Sequence, residues 1–151
     1  MVYEDFRTAR QATRAYDFLV ANLNHEWRVT SQMWKFDVLR IPELRALAAE
    51  DAMMADLIIV SCNGEGELPS GVRTWIEMWL GYKAGAVALV ALLDVPPGQA
   101  ERARVTQAYL EHVAQRAHME FFTWPQGLPT KQSLFLNRAL VTKAAPLRQA
   151  A

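Results

Sequence analysis

The chain has 151 residues, of which 52% are hydrophobic and 21% are charged, so it is long enough to form one globular domain with a sizeable core. Its 16 basic residues balance its 16 acidic residues, which argues against a nucleic-acid-binding protein because the phosphate backbone demands a concentrated basic face. Cys62 is the single cysteine, so no intramolecular disulfide can form. No apolar run approaches the roughly 20 residues that span a bilayer, and the first residues lack the pattern of a signal peptide. We therefore predict a cytoplasmic protein that binds neither nucleic acid nor membrane.

The first part of the chain predicts two strands, each followed by a helix. Residues 2–4 have the composition of a short strand, and residues 8–23 place apolar side chains on one face of a helix. Residues 26–38 mix aromatic and β-branched residues with polar ones, which predicts an edge strand. Pro42 then begins a second helix. The first strand is short for a central position, which leaves two alternatives: the start of the domain is lost, or residues upstream of Met1 complete the strand.

The stretch 56–71 predicts the centre of the fold. Four apolar residues, three of them β-branched, lead directly into a loop with three glycines, one proline and two carboxylates. This pattern is typical of a strand that is buried on both faces and ends at a surface crevice. Because open α/β sheets bind ligands at the carboxyl ends of their strands, we expect any functional site to lie near residues 61–71.

The rest of the chain continues the alternation of helices and strands. In chain order the predicted elements are a helix at residues 72–80, a strand at 86–93, a helix at 99–119, a strand at 120–124 and a helix at 131–143. Strands that alternate with helices in this way predict a parallel sheet covered on both faces. The expected fold is a single three-layer α/β/α domain over residues 1–151, doubly wound and five-stranded, with the flavodoxin-like order 2-1-3-4-5 and a frayed tail at residues 145–151.

Three segments resemble response-regulator receiver domains. Val2-Tyr3-Glu4-Asp5 is similar to a receiver's first strand and its acidic pair, residues 56–60 are similar to its third strand, and residues 120–125 are similar to its fifth strand. Such kinship implies a regulatory domain whose crevice lies between the loops after strands one and three.

The positions that carry receiver chemistry hold other residues in this chain. The resemblance places the phosphoacceptor aspartate at Ser61, no Ser or Thr lies between Ala84 and Pro96 to end strand four, and Trp124 stands in the place of the lysine. A receiver needs the carboxylate, the hydroxyl and the cation for phosphorylation and its readout. The leading hypothesis is therefore a non-catalytic, receiver-like regulatory or interaction domain that binds a protein partner.

A second resemblance suggests a flavin-binding protein. The run from Asn63 to Pro69 resembles the glycine-rich loop that wraps the isoalloxazine ring in flavodoxins, which implies FMN as a cofactor. The candidate cofactor-binding residues are Ser61, Asn63, Gly64, Glu65 and Gly66. Flavodoxins also carry a phosphate loop after strand one, but residues 5–13 contain no glycine, so the backbone N–H groups cannot easily surround a phosphate.

Two further sites remain open as alternatives. Five carboxylates should meet at the carboxyl edge of the sheet, with Arg7 and Arg73 as the nearby cations; they are Glu4, Asp5, Glu65, Glu67 and Asp94. Glu4 and Asp5 could bind Mg²⁺ or Ca²⁺, which take oxygen ligands, or all five could be ordinary solvated carboxylates. The second alternative is an enzyme that uses Glu77. The position of this residue is loosely similar to that of a glutamate on the helix after strand three in nucleoside-processing enzymes.

The cysteine and the tryptophans have structural interpretations. Cys62 follows an apolar strand and is expected to be an inert, partly buried thiol. Trp75 and Trp79 are expected to anchor the core. Together with Trp34 and Met78 they could instead exceed what one core can hide, and exposed aromatic residues of that kind would form a homodimer interface.

Overall fold

The computed structural model of the protein describes residues 1–23, 28–82 and 85–124. The predicted helix at residues 131–143 and the predicted tail at residues 145–151 lie outside these ranges. None of the helices in the described ranges is both long enough and apolar enough to cross a bilayer.

Five strands form one parallel sheet. They are β1 (Val2–Tyr3), β2 (Trp34–Lys35), β3 (Leu57–Cys62), β4 (Ala88–Leu93) and β5 (Glu120–Trp124). Neighbouring strands follow the order β2-β1-β3-β4-β5, and every pair is parallel. The predicted flavodoxin-like order 2-1-3-4-5 is thus confirmed.

Helices connect the strands and cover both faces of the sheet. They are α1 (Phe6–Asn22), α2 (Pro42–Met54), α3 (Ser70–Leu80) and α4 (Arg104–Arg116), with 3₁₀ turns at Phe36–Arg40 and Ala100–Ala103. Asp5 caps the start of α1 through its side chain, and Pro42 occupies the first turn of α2, where its missing N–H has no consequence.

The core consists of two apolar layers, one on each side of the sheet. The buried side chains of α1, such as Ala12 and Leu19, pack against Ile59 and Val90. The layer on the other side holds the buried residues of α2, α3 and α4 against Ile58, Val60 and other strand residues. All six residues of β4 are buried, as expected for a strand that is covered on both faces.

The two tryptophans of α3 lie in the core, as predicted. Trp75 is 3% exposed and Trp79 is fully buried. Their ring centroids are 5.8 Å apart and the ring planes meet at 69°, an edge-to-face arrangement that stabilises aromatic pairs. The indole of Trp34 is half-buried and donates a hydrogen bond of 2.8 Å to Asp51.

The prediction of an edge strand over residues 26–38 is wrong in its extent. Within the described residues, β2 comprises two residues, and the chain then turns into the 3₁₀ segment at Phe36–Arg40. Phe36 and Leu39 are both buried and lie three positions apart, so they share one side of a 3₁₀ turn. The alternation of Trp34, Phe36 and Val38 resembled a strand, but burying Phe36 together with Leu39 requires the turn.

Candidate functional site

The loops that follow β1, β3 and β4 meet at the carboxyl edge of the sheet. Tyr3 is paired with Ser61, and Ser61 is paired with Leu92, so the residues just beyond these positions must lie side by side. Glu4 and Asn63 are brought together in this way. The predicted location of a site, at the carboxyl end of a central strand, therefore corresponds to a real meeting point of loops.

Asp5 connects the first loop to α1. Its Oδ1 atom accepts a 2.9 Å hydrogen bond from the backbone N–H of Thr8, while the Thr8 hydroxyl accepts bonds from the N–H groups of Glu4 and Asp5. The Thr8 N–H is the largest cause that lowers the pKa of Asp5, opposed by burial and supported by the amide of Asn63. The carboxylate thus occupies the positive end of the helix itself.

Asn63 ties the third-strand loop to the acidic pair. Its backbone N–H donates to Oε2 of Glu4 at 2.7 Å, and its side-chain Nδ2 donates to Oδ2 of Asp5 at 3.1 Å. Both carboxylates that the sequence suggested as metal ligands therefore already accept hydrogen bonds from the protein. Across the described residues, no group of three or more His, Cys, Asp or Glu side chains is placed to hold a metal ion.

Ion pairs hold the remaining loops of this edge. The Nε atom of Arg7 lies 2.7 Å from Oδ2 of Asp94, and Nη1 of Arg102 lies 3.0 Å from Oε1 of Glu65. The sequence suggested Arg7 as a compensating cation but missed Arg102. Arg102 lies in the 3₁₀ turn at Ala100–Ala103, and no local pattern reveals that this turn packs beside the Glu65 loop.

The glycines of the Ser61–Gly71 loop shape it against that same turn. Gly64 has φ of +77°, and a Cβ placed there would lie 3.1 Å from the Cβ of Ala103. The carbonyl of Gly66, which has φ of +67°, accepts a 2.7 Å hydrogen bond from the hydroxyl of Thr106. Only glycine adopts such angles without cost. Gly64 is further required by its close approach to Ala103, whereas a Cβ at Gly66 would meet no atom within 4 Å, so Gly66 is explained by its backbone angle alone.

Ser61 and Cys62 lie inside the protein. Ser61 is fully buried, and its hydroxyl donates a 2.8 Å hydrogen bond to the carbonyl of Thr8 beneath α1. Ser61 therefore points away from the crevice in which the sequence placed it. Cys62 is 2% exposed, and burial raises the pKa of its thiol to about 12, which agrees with the interpretation of an inert thiol.

The residues of this edge do not fit the phosphate of FMN. A phosphate bound by a flavodoxin-like fold would use the amino end of α1, but the carboxylate of Asp5 already caps those N–H groups. Glu4 lies beside it and would repel a second anion. Three of the candidate ring-binding residues are likewise already bonded: Asn63 to Glu4 and Asp5, Glu65 to Arg102, and Gly66 to Thr106.

Glu77 lies on the outer surface between α3 and α4. Its two carboxylate oxygens accept hydrogen bonds of 3.0 and 3.4 Å from the guanidinium of Arg116. The residue is seven positions beyond the start of α3 at Ser70, so it stands about 10 Å along the helix from the carboxyl edge. Its visible role is to connect two helices.

Comparison with known proteins identifies a class by fold. No protein-family model matches the chain, and a comparison with curated protein sequences finds no match. Five parallel strands in the order 2-1-3-4-5 define a flavodoxin-like α/β fold. Among solved structures, the chain is similar to a flavodoxin from Streptococcus pneumonia TIGR4, with a TM-score of 0.57, 16% identity and 96% of each chain covered. At that identity the similarity concerns the fold alone.

Replacing Asp5 tests how the acidic pair is used. We expect Asp5→Ala to lower the free energy of unfolding by about 1–2 kcal/mol, because α1 loses its cap and the loop loses a contact with Asn63. The pKa of Asp5 is lowered in the folded protein, so its contribution is complete above the unfolded pKa and is lost as the pH falls through the folded pKa. Urea unfolding from neutral pH down to about pH 3 measures this effect.

The matched control is Asp17→Ala, which removes an exposed carboxylate from the same helix. We expect it to change the free energy of unfolding by less than about 0.5 kcal/mol. If the loss of unfolding free energy in Asp5→Ala stayed constant from neutral to acidic pH, a role for the ionised carboxylate would be contradicted.

Proposed function

We propose that this chain is a non-catalytic, flavodoxin-like interaction domain that binds a protein partner through its carboxyl-edge loops. The observation that carries the proposal is the mutual bonding of these loops. Asn63 joins the third-strand loop to Glu4 and Asp5, and Arg7 joins α1 to Asp94 after β4. Polar groups that a catalytic or cofactor site would direct at a ligand are instead bonded to one another, which gives a preformed surface.

The position of Ser61 supports the absence of receiver chemistry. The phosphoacceptor of a receiver must be a carboxylate that reaches solvent and a phosphodonor. Ser61 is a hydroxyl residue, is fully buried, and is bonded to the backbone of α1. The proposed domain therefore keeps the scaffold of such modules without their phosphoryl transfer.

Exposed anchors on the same edge support a protein partner. Phe6, the first residue of α1, is 78% exposed, and the side chain of Arg7 beside it is 76% exposed. Val105, at the start of α4, is 55% exposed. Aromatic residues and arginine dominate the binding energy of protein interfaces. Because the loops beneath these side chains are bonded together, a partner would meet them at little cost in conformational entropy.

Site-specific photo-crosslinking tests the proposed surface in the cells that produce the protein. We expect p-benzoylphenylalanine in place of Phe6 to yield one discrete cross-linked protein. The matched control carries the same group in place of Val20, which is also exposed and lies on α1, 14 residues or about 21 Å further along the helix. The proposal is contradicted if position 6 yields no protein adduct, or if both positions yield the same set of adducts.

Titration with FMN separates this proposal from its alternative. We expect purified protein to be colourless and to leave the absorbance and fluorescence of added FMN unchanged, because Asp5 caps the end of α1 that a phosphate would use. Saturable FMN binding that is abolished by replacing Gly64 with Val would instead support a flavin-binding protein.

A further inference from the structure

The outer side of α2 exposes a stripe in which acidic and apolar side chains alternate. Its members are Glu43, Leu47, Glu50 and Met54, and all four are exposed. They follow the spacing i, i+4, i+7 and i+11, so they lie on one side of the helix. Leu47 is about half exposed and Met54 is 86% exposed. This stripe, which we call the α2 face, therefore presents large apolar groups and negative charge together.

The outer side of α1 exposes an aromatic ring followed by positive charge. Phe6 begins the helix, and Arg7, Arg10 and Arg14 are exposed beyond it. The arginines are three or four positions apart, so they also lie on one side of their helix. Asp17, one turn after Arg14, is the nearest acidic residue on that side. We call the stripe from Phe6 to Arg14 the α1 face.

The charges on both faces lack compensation within their own helices. Arg7 lies in the first turn of α1, where the helix dipole disfavours a cation, and Arg10 and Arg14 are like charges at i, i+4. On α2, no basic residue lies three or four positions from either glutamate. Four of these side chains have no ion-pair partner in the described part of the chain: Arg10, Arg14, Glu43 and Glu50.

The two faces match in spacing as well as in sign. Arg7 and Arg14 are seven positions apart, which is about 10 Å along a helix axis. Glu43 and Glu50 have the same separation. When the two helices lie antiparallel, Arg14 can oppose Glu43 while Arg7 opposes Glu50. Arg7 contacts Asp94 through its Nε atom, and the rest of its guanidinium group can donate to a second carboxylate.

The apolar groups match in the same antiparallel arrangement. Phe6, at the start of the α1 face, then lies beside Met54, at the end of the α2 face. The sulfur of methionine makes favourable contacts with aromatic rings. Arg10 crosses Leu47, and the aliphatic part of an arginine side chain packs well on apolar surface. Each face thus offers what the other lacks.

We propose that the partner bound beside Phe6 is a second copy of this chain, which docks its α2 face antiparallel on the α1 face. The inference rests on the proposed function and names the partner for that surface. Because α1 and α2 lie on opposite sides of the sheet, one contact leaves an unused face on each copy. Further copies therefore add head to tail, as an open chain or a ring. A contact between two helices is small, so the dissociation constant should be roughly 10 µM to 1 mM.

Analytical ultracentrifugation of the purified chain tests the assembly. In dilute buffer we expect the average mass to rise from that of one copy at low concentration to more than two copies at about 1 mM. Salt at about 0.5 M screens exposed charges, so the association constant should fall by about tenfold or more. A mass that remains at one copy, or that levels off at two copies, overturns the proposal. Association that salt leaves unchanged also overturns it.

Reversing the charge of either face should abolish the assembly. One variant carries Arg10→Glu and Arg14→Glu, so both of its faces are acidic. The other carries Glu43→Arg and Glu50→Arg, so both of its faces are basic. All four positions are exposed, and circular dichroism checks that both variants are folded. We expect each variant to remain a single copy, and association of either folded variant as strong as that of the unaltered chain overturns the proposal.

A chain with all four substitutions separates the local contact from net charge. Its formal net charge stays at zero, as in the unaltered chain, and an acidic face again meets a basic one, so we expect association to return. The matched control combines Arg10→Glu and Arg14→Glu with Glu111→Arg and Glu120→Arg, at exposed positions of α4 and β5. Its net charge is also zero but both faces are acidic, so it should remain a single copy. Equal association of these two chains overturns the proposal.

Photo-crosslinking of the purified chain at position 6 identifies the occupant. We expect p-benzoylphenylalanine in place of Phe6 to yield an adduct of twice the chain mass, with the cross-link on α2 near Met54. A double-mass adduct joined outside α2 overturns this inference. Capture of a different protein in cells, together with single copies in the ultracentrifuge, overturns this inference and leaves the proposed function intact. The absence of any adduct contradicts both.

Discussion

Ser61→Asp is expected to lower the free energy of unfolding by roughly 3–5 kcal/mol, the usual cost of an unpaired buried charge. Ser61 is fully buried and its hydroxyl donates to the carbonyl of Thr8, whereas an ionised carboxylate cannot donate and would face that oxygen directly. In a receiver domain the same position would hold the phosphoacceptor. This substitution therefore tests whether the folded protein tolerates a carboxylate at that position. Chemical denaturation at neutral pH measures the loss.

Two controls distinguish charge from lost bonding at this position. Ser61→Ala removes the hydroxyl and leaves one acceptor without its donor, so we expect a loss of about 1–2 kcal/mol. In Ser61→Asp, burial raises the pKa of the new carboxyl above its unfolded value, and the protonated form can donate to Thr8. The loss of unfolding free energy in Ser61→Asp should therefore become smaller as the pH is lowered towards 4. A stable Ser61→Asp protein that accepts phosphate from a small phosphodonor would refute the non-catalytic assignment.

Trp79→Ala is expected to cost about 3–5 kcal/mol, the range for removing a large aromatic side chain from a core. Among the side chains that the structure describes, Trp79 is the largest that is fully buried, and it packs edge to face against Trp75. Its loss would leave a cavity where α3 meets the sheet, and α3 carries the end of the glycine-rich loop. Urea unfolding followed by circular dichroism measures the change without depending on tryptophan emission.

Two variants give the scale for this result. Trp79→Phe keeps an aromatic ring and should recover part of the loss, because the remaining cavity is smaller. Met54→Ala removes a side chain that is 86% exposed, so we expect a change within about 0.5 kcal/mol. Similar losses for Trp79→Ala and Met54→Ala would show that the α3 layer does not control stability.

The topology was predictable because the central strands carry a strong signal. Residues 57–60 and 86–93 are nearly continuous apolar runs, which are typical of parallel strands buried on both faces. The alternation with helical patterns then restricts the connections to a few right-handed arrangements. The second strand was predicted poorly because the burial of Phe36 and Leu39 depends on helices that come later in the chain.

The meeting of the carboxyl-edge loops was predictable from the sequence, but the bonding within them was not. The meeting of Glu4 and Asn63 follows from parallel pairing, whereas the orientation of Ser61 depends on which helix covers which face. Ile59 packs in the α1 layer while Val60 packs in the opposite layer, and Ser61, two positions after Ile59, shares its face. The sequence shows that Ser61 and Ile59 share one face of the strand. Whether α1 or α3 covers that face depends on how the connections cross the sheet in three dimensions. The pairing of Arg102 with Glu65 depends on a 3₁₀ turn that has no sequence signal.

The unequal lengths of the strands have a consequence for local unfolding. Two pairs join β1 to β2 and two join β1 to β3, whereas six join β3 to β4 and five join β4 to β5. Regions with fewer ladder contacts open at lower free energy than the global transition. We therefore expect β1 and β2 to separate from β3 and re-form by local unfolding, while β3, β4 and β5 stay paired. The two sides of the sheet thus differ in local stability.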